Sequence, residues 1–369
     1  MRFRRLIERK RAANYIFTLL LAFVATILLT RLFLSLTGYP QIGNERLHIA
    51  HVLWGGLIVA VGAALPLIFS NTFILEVSAL LSGIGLGLFF DEVGKFLTQD
   101  NDYFFRPAAS VIYVLFLLGV YIYVSVRRGE PDPQTRLYHA LAAMQEIVDG
   151  DLDVREKEEL EELLNSIIGE ETDIPDVREL AKELLEFVQH QADAVPVRSS
   201  PLEESIRRAV RWVDSHLLTP TATRWLLIGS TAFLTLLALL DIVELLHAIG
   251  HPDEISRFVQ EWIVEVSLTS AQETVWFVVM LSLKSIVGLA LLIALALFAF
   301  RRDEAAISFA LGGLLLSITL VNVLLFYFKQ FTASVYAMAD FTLIAGLNFY
   351  KRRYLQTGHR PARRSPPKK

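Results

Sequence analysis

Cysteine does not occur in this chain of 369 residues. Structural disulfides, thiolate metal sites, thiol nucleophiles and palmitoyl anchors are excluded with it. Charge is scarce too: Asp, Glu, Lys and Arg make up 20% of the residues against 53% hydrophobic ones, and the mean hydropathy is +0.45. That balance is too apolar for an ordinary soluble domain of this length. The basic start, Met1 to Arg11, leads into an apolar stretch without a clear small-residue cleavage site. This stretch therefore reads as an uncleaved first span rather than a signal peptide. The net charge of -4 excludes little, because it averages basic membrane flanks against an acidic central segment.

In place of charge the chain has apolar runs of roughly 20 residues, each long enough to cross a bilayer core of about 30 Å. They predict about eight spanning helices, over 14–37, 46–69, 73–97, 104–126, 223–248, 274–300, 304–329 and 334–351. The expected fold is an all-α, polytopic integral membrane protein with a helical cytoplasmic insert. Residues 1–126 form a first membrane half, 127–222 an acidic helical segment, 223–351 a second membrane half, and 352–369 a basic disordered tail.

Basic residues set the expected orientation. Arg2, Arg4, Arg5, Arg9, Lys10 and Arg11 precede the first span; Arg127 and Arg128 follow the fourth, Arg301 and Arg302 the sixth, and Lys351, Arg352 and Arg353 the eighth. With eight spans all four clusters fall on one face, which the positive-inside rule makes cytoplasmic, together with both termini and the insert. Seven or nine spans would strand the last cluster outside.

Within the insert, Leu160, Leu163, Leu164, Ile167 and Ile168 recur at helical spacing, as do Leu180, Leu184, Leu185 and Val188. Asp149-Gly150-Asp151-Leu152-Asp153 has the look of a calcium loop. It lacks the glycine and the bidentate glutamate that an EF-hand needs further on, so a helix start is the better reading. Arg207, Arg208, Arg211 and Trp212 form an amphipathic approach to the fifth span that suits an anionic inner leaflet. The lipid bilayer and that leaflet are the expected partners; nucleic acid is not. Four spans, an insert and four more suggest a parallel duplication, with Lys95 and Lys329 loosely matched.

Ionisable residues inside apolar runs mark where function is to be sought, because a charge in hydrocarbon costs at least a few kcal/mol. His48 and His51, three apart, are expected on one face near the start of the second span. Asp91, Glu92 and Lys95 close the third span at the same depth. Gly83, Gly85 and Gly87, with Gly55 and Gly56, would let these two helices approach closely. The run Gly83-x-Gly85-x-Gly87 is no nucleotide fingerprint, since it lies inside a membrane helix and no strand–helix crossover follows it. Asp102 and Arg106 in the following loop would cap an outward-facing polar site. His48, His51, Asp91 and Glu92 suit a divalent metal such as zinc, and Glu45/His48 with Glu244/His247 give two Glu-x-x-His units similar to those of dimetal bundles. Lys95 argues the other way, because an ion pair needs no metal.

The second half has its own buried network in Asp241, Lys284, Asn322 and Asp340. It reads either as a static ion pair that fixes helix register or as a proton or ion relay. Arg31 and Lys329 are expected to snorkel outward.

The strings Leu47-His48-Ile49-Ala50-His51-Val52-Leu53-Trp54-Gly55-Gly56, Phe90-Asp91-Glu92-Val93-Gly94-Lys95-Phe96 and Asn101-Asp102-Tyr103-Phe104-Phe105-Arg106-Pro107 resemble a signature of bacterial multi-pass membrane proteins. The resemblance covers about the first third of the chain. It implies a bacterial cytoplasmic membrane and carries no activity. Metallohydrolases of the ceramidase type also use His, Asp and Ser on several helices, but their paired histidines on a late span are missing here. Three functional classes follow: an outward-facing site for an ion or small ligand serving transport or sensing, an intramembrane metal-dependent hydrolase acting on lipid, and a structural role in an assembly such as a homo-oligomer.

Overall fold

A computed structural model of the chain describes residues 7–38, 43–44, 47–48, 51–99, 105–128, 132–149, 152, 154–169, 175–191, 219–250 and 271–355. In chain order these form α1 (Ala12–Thr37), the two-residue strands β1 (Gly43–Asn44) and β2 (Leu47–His48), α2 (His51–Ile68), α3 (Thr72–Asp91), α4 (Val93–Leu97) and α5 (Arg106–Arg128). Then come α6 (Pro133–Asp149), α7 (Val154–Gly169), α8 (Pro175–Gln191), α9 (Pro220–Gly250), α10 (Ala271–Ala299), α11 (Asp303–Lys329) and α12 (Ser334–Tyr350). Among the described residues seven helices, α1, α2, α3, α5, α9, α10 and α11, are long and apolar enough to cross a membrane. In hydrocarbon a helix satisfies its own backbone hydrogen bonds, which is why such runs take this form. The protein is all-α and polytopic.

Three expected boundaries are corrected. The second span starts at His51, not at residue 46, because Leu47–His48 pairs antiparallel with Gly43–Asn44. His48 therefore shares no helix face with His51. The third span, expected to run to residue 97, breaks at Glu92, whose φ/ψ of -93°/7° ends α3 before the short α4. The eighth helix, α12, has 17 residues, about 26 Å at 1.5 Å per residue. It continues through a π-turn, Lys351–Leu355, so the first residues of the expected tail are helical. The remainder of the tail, Arg207 to Trp212 and His251 lie outside the described residues.

The described chain falls into two compact units. The first comprises Met1–Glu92 and Phe116–Glu204, and the second Val93–Leu115 and Ser205–Lys369. The partition divides α5 between Leu115 and Phe116.

In the first unit α3 is the central helix, packed against α1 on one side and α2 on the other. Its glycines divide between the two neighbours. A Cβ on Gly85 would lie 2.7 Å from Gly55 O of α2, whereas one on Gly87 would meet Thr26 Cβ of α1 at 2.7 Å. Gly83 likewise faces α1, at Leu19 and Ala22. The backbones thus approach as closely as small residues in a membrane interface allow. Helices α6, α7 and α8 bury their own core of Leu137, Ala140, Leu160, Leu164, Ile167, Ala181 and Val188. Of the expected apolar stripe, Leu163, Ile168, Leu184 and Leu185 pack at its margin, and Leu180 is exposed.

The second unit centres on Leu227, Leu291, Phe298, Ile307, Leu314, Leu343 and Leu347 from α9 to α12. One end is tied by Arg224. Its guanidinium donates to both Asp303 oxygens (Nε–Oδ2 3.0 Å, Nη2–Oδ1 3.1 Å) and to Phe298 O at 2.6 Å, while Tyr350 O–H donates to Asp303 Oδ2 at 3.1 Å. Arg301 takes φ 58°, the left-handed turn that ends α10, and Arg302 N–H reaches back to Leu297 O.

Candidate functional site

The first polar centre lies where α3 ends, and both acids there are 1% exposed. Asp91 accepts from Arg31 of α1 (Nε–Oδ1 2.5 Å) and from His51 of α2 (Nε2–Oδ2 3.0 Å); Arg31 Nη2 also donates to Asp91 O at 3.0 Å. Because carboxylate oxygens only accept, His51 must carry its proton on Nε2. Glu92 Oε2 accepts the Val52 N–H at 2.9 Å, and its Oε1 lies 3.6 Å from His51 Nδ1. A carboxylate from α3 thus caps the first turn of α2, where an unpaired N–H and the positive helix end both favour it. That contact accounts for the start of α2 at His51. The expectation that Arg31 snorkels is overturned: its side chain is 11% exposed and bound to Asp91.

Arg31 holds one Asp91 oxygen and the imidazole the other. Among the described residues no group of three or more His, Asp or Glu could hold an ion. The side chain of His48 and all of Asp102 lie outside the described residues. Lys95, on α4, and Arg106 belong to the second unit. There Arg106 lies 3.6 Å from Glu273, which also accepts from Tyr327 O–H at 3.2 Å.

The second centre is inside the second unit and is organised by a π-turn in α11, Ser317–Val321. The widened turn sends Asn322 N–H back five residues to Ser317 O. It also points the Ser317 and Asn322 side chains at Asp340 of α12. Both donate to a single oxygen, Oδ2, at 2.6 Å and 3.0 Å. Among the described residues Asp340 Oδ1 has no recorded hydrogen bond. Lys284 of α10 stands with Nζ 5.7 Å from the Tyr336 ring centroid, a cation–π distance. Asp340, Lys284, Asn322, Ser317 and Tyr336 line one cavity of about 60 Å³, together with apolar residues including Leu234 and Leu291. A water needs roughly 10–15 Å³ of such space, so the cavity is large enough to be hydrated. The turn itself is braced by α5: Tyr113 O–H donates to Ile318 O and Ser110 Oγ to Val323 O, both at 2.8 Å, and Tyr113 stacks on Phe326 at 4.5 Å.

The structure thus brings together three of the four residues expected here. The Asp241 side chain lies outside the described residues. Ser317, Tyr336 and Tyr113 were not anticipated; a hydroxyl in an apolar span is the only signal they give. The Arg224–Asp303–Tyr350 clamp was also missed, because its members sit at helix ends where charge is ordinary.

The fold and its buried charges define the class: a multi-pass helical membrane protein with polar centres inside apolar helices. No protein-family model matches the chain, and neither a curated protein nor a solved structure is significantly similar to it. The geometry therefore carries the functional reading alone.

Proposed function

We propose that the protein moves or senses protons across a bilayer, with Asp340 as the proton-accepting group and Lys284 as its charge partner. The supporting observation is the shared cavity. A carboxylate and an ammonium border the same small cavity in otherwise apolar helices, and both fixed donors are committed to one carboxylate oxygen. The other oxygen can take a proton from water. The cavity is too small for most organic ligands, which need roughly 300 Å³ or more. The lipid-hydrolase reading has no comparable support, because the first centre is an ion-pair network already filled by Arg31.

The setting proposed is a bacterial cytoplasmic membrane, with both termini and the α6–α8 bundle on the cytoplasmic face, as the basic clusters favour. The bundle would report or regulate the state of the membrane helices. Proton flux into proteoliposomes under an imposed pH gradient tests the reading. Wild-type protein should exceed empty liposomes, and D340N and K284M should each abolish the excess. Flux that is absent in wild type, or unchanged in both variants, refutes it.

A further inference from the structure

We infer that the first unit carries a binding site for a phosphate group at the end where α1 begins. The inference does not depend on the proton reading, since it concerns a different cavity. That cavity, of about 340 Å³, lies between the lead-in to α1, the turn from α2 to α3, and α6. Arg9, Lys10 and Arg11 line it, against Glu8 as the one acidic lining residue. Two of these cations serve as anchors: Lys10 reaches Glu159 at 3.6 Å and Arg11 reaches Glu156 at 3.3 Å, which holds the lead-in against α7. Arg9 has no recorded acidic partner among the described residues, so its guanidinium is available to a ligand in the cavity.

The neutral donors suit the same ligand. His139 lines the cavity and donates from Nε2 to Glu8 O at 2.8 Å, which holds the lead-in to α1 against α6 beside Arg9. Tyr138, Ser70 and Thr72 add hydroxyls to the lining. Thr72 opens α3, a helix of 20 residues whose N-cap Asn71 makes no side-chain capping bond. The positive end of this helix adds to the field of Arg9. A forked guanidinium with hydroxyl and amide donors is the chemistry that recognises phosphate. The α2–α3 turn and the start of α1 are ends of membrane-crossing helices, where lipid headgroups lie. The phosphate can be that of an anionic lipid or free in solution.

Thermal unfolding of the full-length protein in dodecyl maltoside, titrated separately with dioleoylphosphatidylglycerol, dioleoylphosphatidylcholine and inorganic phosphate, separates the cases. Phosphatidylglycerol should raise the wild-type Tm more than phosphatidylcholine. The half-saturating concentration should increase about tenfold or more in the double variant R9Q/H139Q. R352Q/R353Q should match wild type. A response to phosphatidylglycerol alone identifies a lipid headgroup; an equal response to inorganic phosphate identifies a free anion. If R9Q/H139Q does not fold, T72A/Y138F replaces it with the same expected direction. The inference is overturned if neither anion shifts wild type, if phosphatidylcholine acts as strongly, or if the folded variant responds like wild type.

Discussion

Substituting Arg31 by Met in the first polar centre removes a guanidinium that makes two of the contacts to Asp91, at 2.5 Å and 3.0 Å. The Asp91 side chain is fully buried, so its charge would lose its guanidinium partner while still out of reach of water. Breaking a buried pair from one side costs about 3–5 kcal/mol, most of it the stranded charge. Asp91→Asn removes the charge opposite the guanidinium, but Arg31 keeps its bond to Asp91 O and an 11% route to solvent, so this variant loses less. The double variant R31M/D91N strands neither group. It should lose less than the sum of the single losses by about 2–3 kcal/mol. Unfolding in mixed micelles of dodecyl sulfate and dodecyl maltoside, followed by circular dichroism, reads all four corners of the cycle. Losses that add within about 0.5 kcal/mol would show that the pair does not form and that Arg31 reaches water instead.

The same assay separates glycines by their neighbours. Gly85→Ala should destabilise by about 1–3 kcal/mol, because its Cβ would meet backbone atoms of α2 at 2.7 Å and 2.8 Å; Gly56→Ala, with nothing within 4 Å, should stabilise by about 0.5–1 kcal/mol. Glu92→Ala should cost about 1–2 kcal/mol and speed hydrogen exchange of the Val52 amide, since the cap of α2 is lost; unchanged exchange there would rule out the cap. Arg224→Met should cost about 2–3 kcal/mol by releasing Asp303, and a neutral result would remove the clamp from the account. Leu164→Ala, at a fully buried position of the α6–α8 core, should cost about 2–5 kcal/mol, seen as faster exchange across those three helices of the intact protein.

The spans were legible because their signal is local: an apolar run of sufficient length forms a helix in lipid whatever it packs against. The α2–α3 pairing was legible for a similar reason, through a three-residue turn and facing glycines. Breaks in a helix were not. Glu92 ends α3 because it serves α2, a partnership that no hydropathy window contains. His48 follows the same rule, since its strand pairing overrides a pattern that continues without change through residues 46–69. Arg31 was read as a snorkelling residue because its distance to Asp91 in the chain hides their distance in space. In the second unit the charges themselves were legible, as Lys284 and Asp340 stand out in apolar runs. The π-turn that points Ser317 and Asn322 at one carboxylate oxygen has no sequence signature of its own, so the asymmetry of the site emerged only with the backbone.

Infrared difference spectra of the reconstituted protein, taken between acidic and alkaline buffer, address Asp340 directly. The account predicts a carboxylic-acid carbonyl band that rises on acidification, shifts in S317A because Ser317 donates to Oδ2, and vanishes in D340N. Spectra that are identical in wild type and D340N would contradict it.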